Sequence, residues 1–147
     1  MATQEPTTTG DTFGEPIYTY TRARAIADGV LVDVTETARE AGFRYPVAVT
    51  DHVWADCVAW CEADTKRKGW PQDEAGRLWD VVWMASRAGR GTYRIGVKRA
   101  DGVMTFQLRC VPRDGRGHGA KLVTLKAICG PGDNGEPVIT IMFPEDD

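Results

Sequence analysis

The chain has 147 residues, of which 42% are hydrophobic and 27% charged, and its formal net charge at pH 7 is −3. This balance is typical of one globular domain and excludes a largely disordered chain. No apolar run approaches the roughly 20 residues of a membrane-spanning helix, and the polar start has neither the basic nor the apolar region of a secretory signal.

The N-terminal half begins with a polar stretch that offers nothing to bury, so we expect a flexible tail over 1–14 and a single cytoplasmic domain over 15–147. Thr21 is a good N-cap for a first helix, and Gly29 is a natural stop for it. The shorter elements that follow are an extended run over 30–34, one or two helical turns over 35–41, and a second extended run over 45–49. Pro46 restricts that second run to a sheet edge or to the start of a strand.

Two longer helices are predicted in the middle of the chain. The first covers 50–66, with Thr50 or Asp51 as its cap and Gly69 as its stop. Its apolar residues recur at three- and four-residue spacing and so share one face: Val53, Trp54, Cys57, Val58 and Cys61. The second covers 74–88, where Leu78, Val81, Val82 and Ala85 form a stripe. The centre of this segment also fits a strand, and both alternatives stay open.

From residue 92 the apolar period changes to two, which is typical of strands. Asp101 and Gly102 are the favoured pair for a hairpin turn, and further strands are expected near 121–129 and 138–143. The predicted fold is therefore α+β, with N-terminal helices packed on a C-terminal antiparallel meander of three to four strands.

No group of residues makes a convincing enzyme centre, so we predict no catalytic residue, no metal and no cofactor. The four cysteines are expected to be reduced and mostly buried, because zinc knuckles usually have tighter spacing than Cys57 and Cys61. His52, with Asp56 four residues on, is interpreted as a surface pair rather than a metal site. The glycine-rich stretch 113–119 with His118 is either an anion-binding loop or an exposed connection kept soluble by charge.

Charge is concentrated in residues 87–126, which contain ten basic and two acidic residues, a net of +8. We predict one electropositive partner-binding face, because basic residues lie on the polar side of two paired strands and in the loop that follows. Its residues are Arg94, Lys98, Arg99, Arg109, Arg113 and Arg116. Trp60 and Trp70 fit the helix stripes poorly and are predicted contact residues. The other tryptophans of the helices, Trp54, Trp79 and Trp83, are expected in the core.

Four segments carry a resemblance to a known group of proteins. They are 20–35 (YTRARAIADGVLVDVT), 41–48 (AGFRYPVA), 76–84 (GRLWDVVWM) and 130–141 (GPGDNGEPVITI). Together they resemble a family of small uncharacterised proteins encoded on bacterial plasmids, phages and other mobile elements. The resemblance implies an accessory gene of such an element and a bacterial host cytoplasm, but it assigns no catalytic residue.

Two classes of function follow from the resemblance and the charge pattern. The first is a non-enzymatic inhibitor, of anti-CRISPR or anti-restriction type, that binds a host protein or nucleoprotein complex. The second is an accessory protein that binds nucleic acid directly through the basic 87–126 segment.

Overall fold

The computed structural model describes residues 20–89, 98–100, 102–113 and 117–146, with only the backbone for 98–100. The tail predicted over 1–14 lies outside these ranges. The elements in chain order are α1 (Arg22–Ala27), β1 (Leu31–Asp33), α2 (Thr35–Glu40), β2 (Val47–Thr50), α3 (Asp51–Val53), a π-helical turn (Trp54–Val58), α4 (Glu62–Lys68), α5 (Glu74–Gly89), β3 (Lys98–Ala100), β4 (Val103–Cys110), β5 (Lys121–Pro131) and β6 (Pro137–Met142). None of the helices in the described ranges is long and apolar enough to cross a membrane.

The first helix begins and ends where its sequence predicts. Its first amides are also hydrogen-bonded to Asp133, a residue far along the chain. The Thr21 hydroxyl accepts from the Arg24 amide at 3.0 Å, and Gly29 adopts φ 81° directly after the helix. The Asp133 carboxylate accepts from the amides of Arg22 and Ala23 at 2.8 and 3.0 Å. These amide hydrogen bonds lower the pKa of Asp133, and they tie α1 to the turn between β5 and β6.

Within the described ranges the sheet has six strands, in the order β1-β2-β6-β5-β4-β3. The predicted C-terminal meander is confirmed, because β3 to β6 pair antiparallel in sequence order. The sheet is mixed rather than purely antiparallel, since β2 pairs parallel with β6, placing Val47 opposite Ile139, and β1 pairs with β2. Pro46 stands just before β2, which is the strand-start position that its missing N–H permits.

The core lies between one face of the sheet and α2, the π-helical turn and α5. Phe106, Leu125 and Ile141 are fully buried on that face and meet the apolar stripe of α5, including Val81 and Val82. The α5 segment is a 16-residue helix, so the strand alternative for it is wrong. The segment is helical because its buried apolar residues, from Leu78 to Ala88, recur at three- and four-residue spacing over about three turns. A strand, whose side chains alternate between two faces, would divide them between core and solvent.

The opposite face of the sheet carries α1. Arg22 donates to the Thr140 hydroxyl at 2.7 Å and to the Ile139 carbonyl at 2.8 Å. Thr140 alternates along β6 with the core residues Ile139 and Ile141, so α1 and the core lie on opposite faces. The α+β fold therefore has helices on both faces, with the larger set covering the core.

The single helix predicted over 50–66 is wrong. The Thr50 cap is present, with its hydroxyl accepting from the Val53 amide at 3.2 Å, but after the π-helical turn the backbone becomes extended at Ala59. A new helix starts after Cys61 and ends at Gly69, which has φ 95°. The break follows from the burial of Trp60, which turns inward where a continuous helix would direct it outward.

Candidate functional site: the groove beside α4

One buried carboxylate organises the surface next to α4. Asp64, with a side chain only 3% exposed, is paired with Arg67 and, at 2.9 Å, with Nε of Arg113. It also accepts from the Cys61 backbone amide at 2.9 Å, as a capping residue at the start of α4. Burial would raise the pKa of Asp64, but the hydrogen bonds from Cys61, Arg67 and Arg113 outweigh it and hold that pKa well below its usual range.

The glycine-rich loop after β4 is anchored to the end of α4 through its described residues. Arg67 donates to the Arg113 carbonyl at 2.8 Å, Nζ of Lys68 donates to the Gly117 carbonyl at 2.5 Å, and the His118 ring contacts the Lys68 carbonyl at 3.2 Å. Hydrogen bonds therefore hold these ends of the loop in place. A freely exposed connection, one of the two predicted alternatives, would not have such bonds. Residues 114–116, including Arg116, lie outside the described ranges.

An open groove of about 970 Å³ runs beside this cluster. Its lining carries both signs of charge: the basic residues Arg67, Arg113 and Lys121 and the acidic residues Asp64, Glu145 and Asp146, together with His52. The exposed His52 ring lies 3.4 Å from Asp146 of the C-terminal segment, and its surface pairing with Asp56 stays a prediction. Within the part of the chain that the structure describes, no group of three or more His, Cys, Asp or Glu side chains could hold a metal.

A second buried charge lies below the groove. Arg77 of α5 is 4% exposed, and its guanidinium lies 4.7 Å from the ring centroid of Trp60. It donates to three backbone carbonyls, those of Asp56 at 3.0 Å, Val58 at 2.9 Å and Val111 at 2.8 Å. Arg77 thereby joins the π-helical turn to the chain just after β4, and burial lowers its pKa.

The cysteines are less buried than expected. All four are free, but only Cys57 is buried, whereas Cys110 is intermediate and Cys61 and Cys129 are exposed. Cys61 is exposed because it stands at the start of α4 instead of inside a longer amphipathic helix.

The predicted basic face is only partly described. Arg94 and Arg116 lie outside the described residues, and Lys98 and Arg99 are placed by backbone register opposite Thr105 and Met104. Arg109 is exposed opposite Leu122, whereas Arg113 is paired with Asp64 in the groove. The structure therefore gives Arg113 an intramolecular partner, and the joint binding role of the six residues stays a prediction.

The tryptophans are arranged differently from the prediction. Trp60 was expected on the surface, but it is 8% exposed, and its indole donates to the Thr65 hydroxyl at 2.9 Å. Trp70 is 48% exposed, as its predicted contact role requires. Trp83 was expected in the core, but it is 37% exposed.

Trp83 belongs to a row of side chains along α5 that we call the tryptophan row: Trp79, Trp83 and Arg87. The two indoles stack with centroids 5.6 Å apart and an interplanar angle of 20°. The Arg87 guanidinium lies 5.1 Å from the Trp83 ring centroid. Spacing of four residues puts these side chains one above the other on a single side of the helix.

Asp64 and Arg77 were missed as organising residues by reasoning from sequence. Each lies among other charged residues at positions that a surface helix ordinarily exposes, so neither has a pattern that marks it as buried. The spacing of Trp79, Trp83 and Arg87 was visible in the sequence, and it could have indicated the row.

Comparison with known proteins identifies the family to which the chain belongs. A family model described as a family of unknown function, DUF6573, matches residues 12–147. The chain belongs to that family. No curated protein and no solved structure matched the chain. Membership of DUF6573 covers the whole described fold, including the groove and the tryptophan row, and it assigns no activity to either.

Proposed function

We propose that this DUF6573 member is a non-enzymatic binding protein of a bacterial mobile genetic element. On this proposal it inhibits a host defence or nucleic-acid-processing complex, of anti-CRISPR or anti-restriction type, through protein–protein contact. The mobile-element context is supported by the resemblance of segments such as 20–35 and 130–141. The contact itself is supported by one structural observation, the tryptophan row.

The tryptophan row has the chemistry of a protein-binding hot spot. Trp and Arg are enriched among the residues that dominate interface energies. Trp83 presents an exposed ring that is already stacked on Trp79 and covered on one side by Arg87. Because α5 is a regular helix packed on the sheet, these side chains are held before binding, which reduces the conformational entropy lost on association.

A phage-plaquing assay tests this proposal directly. The full-length chain is expressed in matched bacterial hosts with and without a CRISPR or restriction system, and phage plaquing is counted. We expect increased plaquing only on defended hosts, and loss of most of this effect in Trp83→Ala. Truncating a hot-spot residue costs at least about 2 kcal/mol, or roughly 30-fold in affinity.

Tyr45→Ala is the matched control, because Tyr45 is an aromatic residue of similar exposure, 45%, outside the tryptophan row. Trp70→Ala tests the other predicted contact residue in the same assay. Equal plaquing with wild type and folded Trp83→Ala would refute the tryptophan row as the binding surface. The absence of protection across a panel of CRISPR and restriction hosts would refute the inhibitor function.

Direct nucleic-acid binding through 87–126 is the second candidate. It is favoured by the exposed Arg109 and by the basic side chains Arg113 and Lys121 in the groove wall. Against it, Asp64 already neutralises part of that charge. Retention on heparin that falls steeply with salt would favour this candidate, with the salt slope decreasing by about one for each phosphate contact removed.

The triple charge reversal of Arg94, Lys98 and Arg109 separates the two candidates. If nucleic acid binds directly, this variant loses heparin retention and activity while its fold is kept. If the tryptophan row carries the function, the triple variant keeps its protection of phage and only Trp83→Ala loses it. A triple variant with full activity therefore removes the basic face from the mechanism.

A further inference from the structure

Arg77 carries a charge that its hydrogen-bonding partners do not neutralise. Three of its donor contacts are to backbone carbonyls, which are neutral. Among the described residues, no Asp or Glu carboxylate lies within salt-bridge distance of its guanidinium. The carboxylates of Asp56 and Asp64 act on this charge only from beyond ion-pair distance, and a buried charge without a directly bonded counter-ion is costly.

Two thiols lie at this position. The carbonyl acceptors of Arg77 belong to residues on both sides of Cys57 and to the residue that follows Cys110. A backbone hydrogen bond from the Arg113 amide to the Asp56 carbonyl, 3.0 Å long, joins the same two segments. Within this frame the Cys57 and Cys110 side chains are close enough for each to shift the pKa of the other.

The two thiols have different chemical environments. The neighbouring Cys57 side chain and the nearby Arg77 charge lower the pKa of Cys110, against the opposing effects of burial and of Asp56 and Asp80. The neighbouring Cys110 side chain and burial raise the pKa of Cys57. Cys110 is also the more accessible of the pair. A partly accessible thiol of lowered pKa beside a second thiol is the arrangement found at redox-active cysteine pairs.

We propose that Cys57 and Cys110 form a reversible redox site that reacts with low-molecular-weight disulfides. The Cys110 thiolate attacks one sulfur of the disulfide, forming a mixed disulfide and releasing one thiolate. Cys57 then passes its proton to the released thiolate and attacks the Cys110 sulfur, which releases the second thiolate to take up a proton from solvent. The protein dithiol is oxidised to one intramolecular disulfide and the small disulfide is reduced to two thiols.

Oxidation would change the chain next to the lining of the groove. The new bond would link the π-helical turn to the end of β4, and their neighbours Asp56, Pro112 and Arg113 line the groove. It would also remove the ionisable thiol near Arg77. The groove is therefore the surface whose shape and charge we expect to respond to the redox state.

Oxidised glutathione is the probe for the test. The preferred protein is the Cys61→Ser, Cys129→Ser double variant, which keeps the proposed pair and removes both exposed cysteines. After incubation of the folded protein, peptide mapping should find a peptide containing Cys57 joined to one containing Cys110, with the mass of two hydrogens lost. Added dithiothreitol should reverse the link.

Single substitutions in the same background resolve the order of attack. Without Cys57, the reaction should stop at a glutathione adduct on Cys110. Without Cys110, Cys57 should stay unmodified in the folded protein because it is only 1% exposed. Circular dichroism checks that each variant is folded. The proposal is overturned if both thiols of the folded double variant stay free, or if they join only in urea.

The effect of the Arg77 charge on the pKa of Cys110 is measured separately. In the double variant, the pH profile of Cys110 alkylation by iodoacetamide should have its midpoint below the ordinary thiol value of about 8.5. Arg77→Met should move that midpoint upward. If Arg77→Met does not fold, the alkylation profile of the Cys61→Ser, Cys129→Ser double variant is the test. A midpoint at or above the ordinary thiol pKa contradicts an activated Cys110.

Discussion

Replacement of Asp64 by alanine tests whether this carboxylate holds the groove together. The change removes the acceptor of the Cys61 amide at the start of α4 and the shared partner of Arg67 and Arg113. A single substitution therefore leaves the Cys61 amide at the start of α4 without its side-chain acceptor and both arginines without their shared carboxylate. We expect a clear loss of stability, although the fold remains the same.

The size of that loss follows from the exposure of the partners. Loss of a capping interaction costs about 1 kcal/mol. Hydrogen bonds to a buried charge contribute about 1.5–3 kcal/mol, but Arg67 and Arg113 have side chains 51% and 37% exposed. Water can solvate them after the change, so each pair contributes less than about 1 kcal/mol. The free energy of unfolding should thus fall by about 2–3 kcal/mol, which lowers the Tm by roughly 5–10 °C.

Urea unfolding at several pH values is the measurement. The folded-state pKa of Asp64 is lowered from its ordinary value of 3.8, so its contribution is complete above that value and is lost as pH falls towards the folded-state pKa. The difference between wild type and Asp64→Ala should be constant near neutral pH and should shrink below about pH 4. Asp64→Asn, which keeps an acceptor for the Cys61 amide, should cost about half as much. A difference under about 0.5 kcal/mol for Asp64→Ala, or one that does not change on acidification, would refute this account.

Other predictions concern the core and the backbone. Arg77→Met removes the guanidinium from three backbone carbonyls, of which that of Asp56 keeps the Arg113 amide as a donor. It should cost about 3 kcal/mol in urea unfolding, and a loss under about 1 kcal/mol would contradict the role of Arg77 as a clamp. Gly69→Ala forces a side chain into φ 95° and should cost about 1 kcal/mol. Gly119→Ala, with no positive φ and nothing within 4 Å, is its matched control and should be nearly neutral. Phe106→Ala, at a fully buried position, should cost about 3–5 kcal/mol by thermal unfolding.

Elements with local signals were predictable from sequence. The apolar stripe and length of α5, the Thr21 cap of α1, and the alternation around Phe106 in β4 are each contained in a short window. In each case the residues that define the element also bury its core face, so the local pattern and the tertiary contacts agree. This agreement gave the α+β class and the C-terminal meander.

Elements whose form depends on distant partners were not predictable. Nothing near Val47 indicates that β2 pairs with β6, because parallel pairing joins segments far apart in sequence. The break at Ala59 was hidden for a similar reason. The helical spacing around Trp60 is intact in the sequence, but the Trp60 ring packs against the Arg77 guanidinium from α5.

The candidate sites also divide into features with a local sequence signal and features that depend on distant residues. Exposure of Trp70 followed from its poor fit to a helix stripe, whereas the same reasoning failed for Trp60. The charge of the basic segment was visible, but the Asp64 carboxylate that pairs with Arg113 comes from another element. Charge patterns in a sequence indicate how many charges there are, but only the fold shows which of them already have a partner.

The parallel pairing of β2 with β6 has a consequence for folding during synthesis. Val47 and its partner Ile139 enter the sheet together, although the ribosome makes them far apart in time. Until β6 has emerged, β2 has only β1 beside it, and the turn residue Asp133 that caps α1 is also missing. The N-terminal third of the chain therefore remains an incomplete intermediate with an unpaired strand edge, which chaperones could bind. Completion of the core is delayed until the last strand is available, and mutations that slow or truncate its synthesis should cause aggregation through β2.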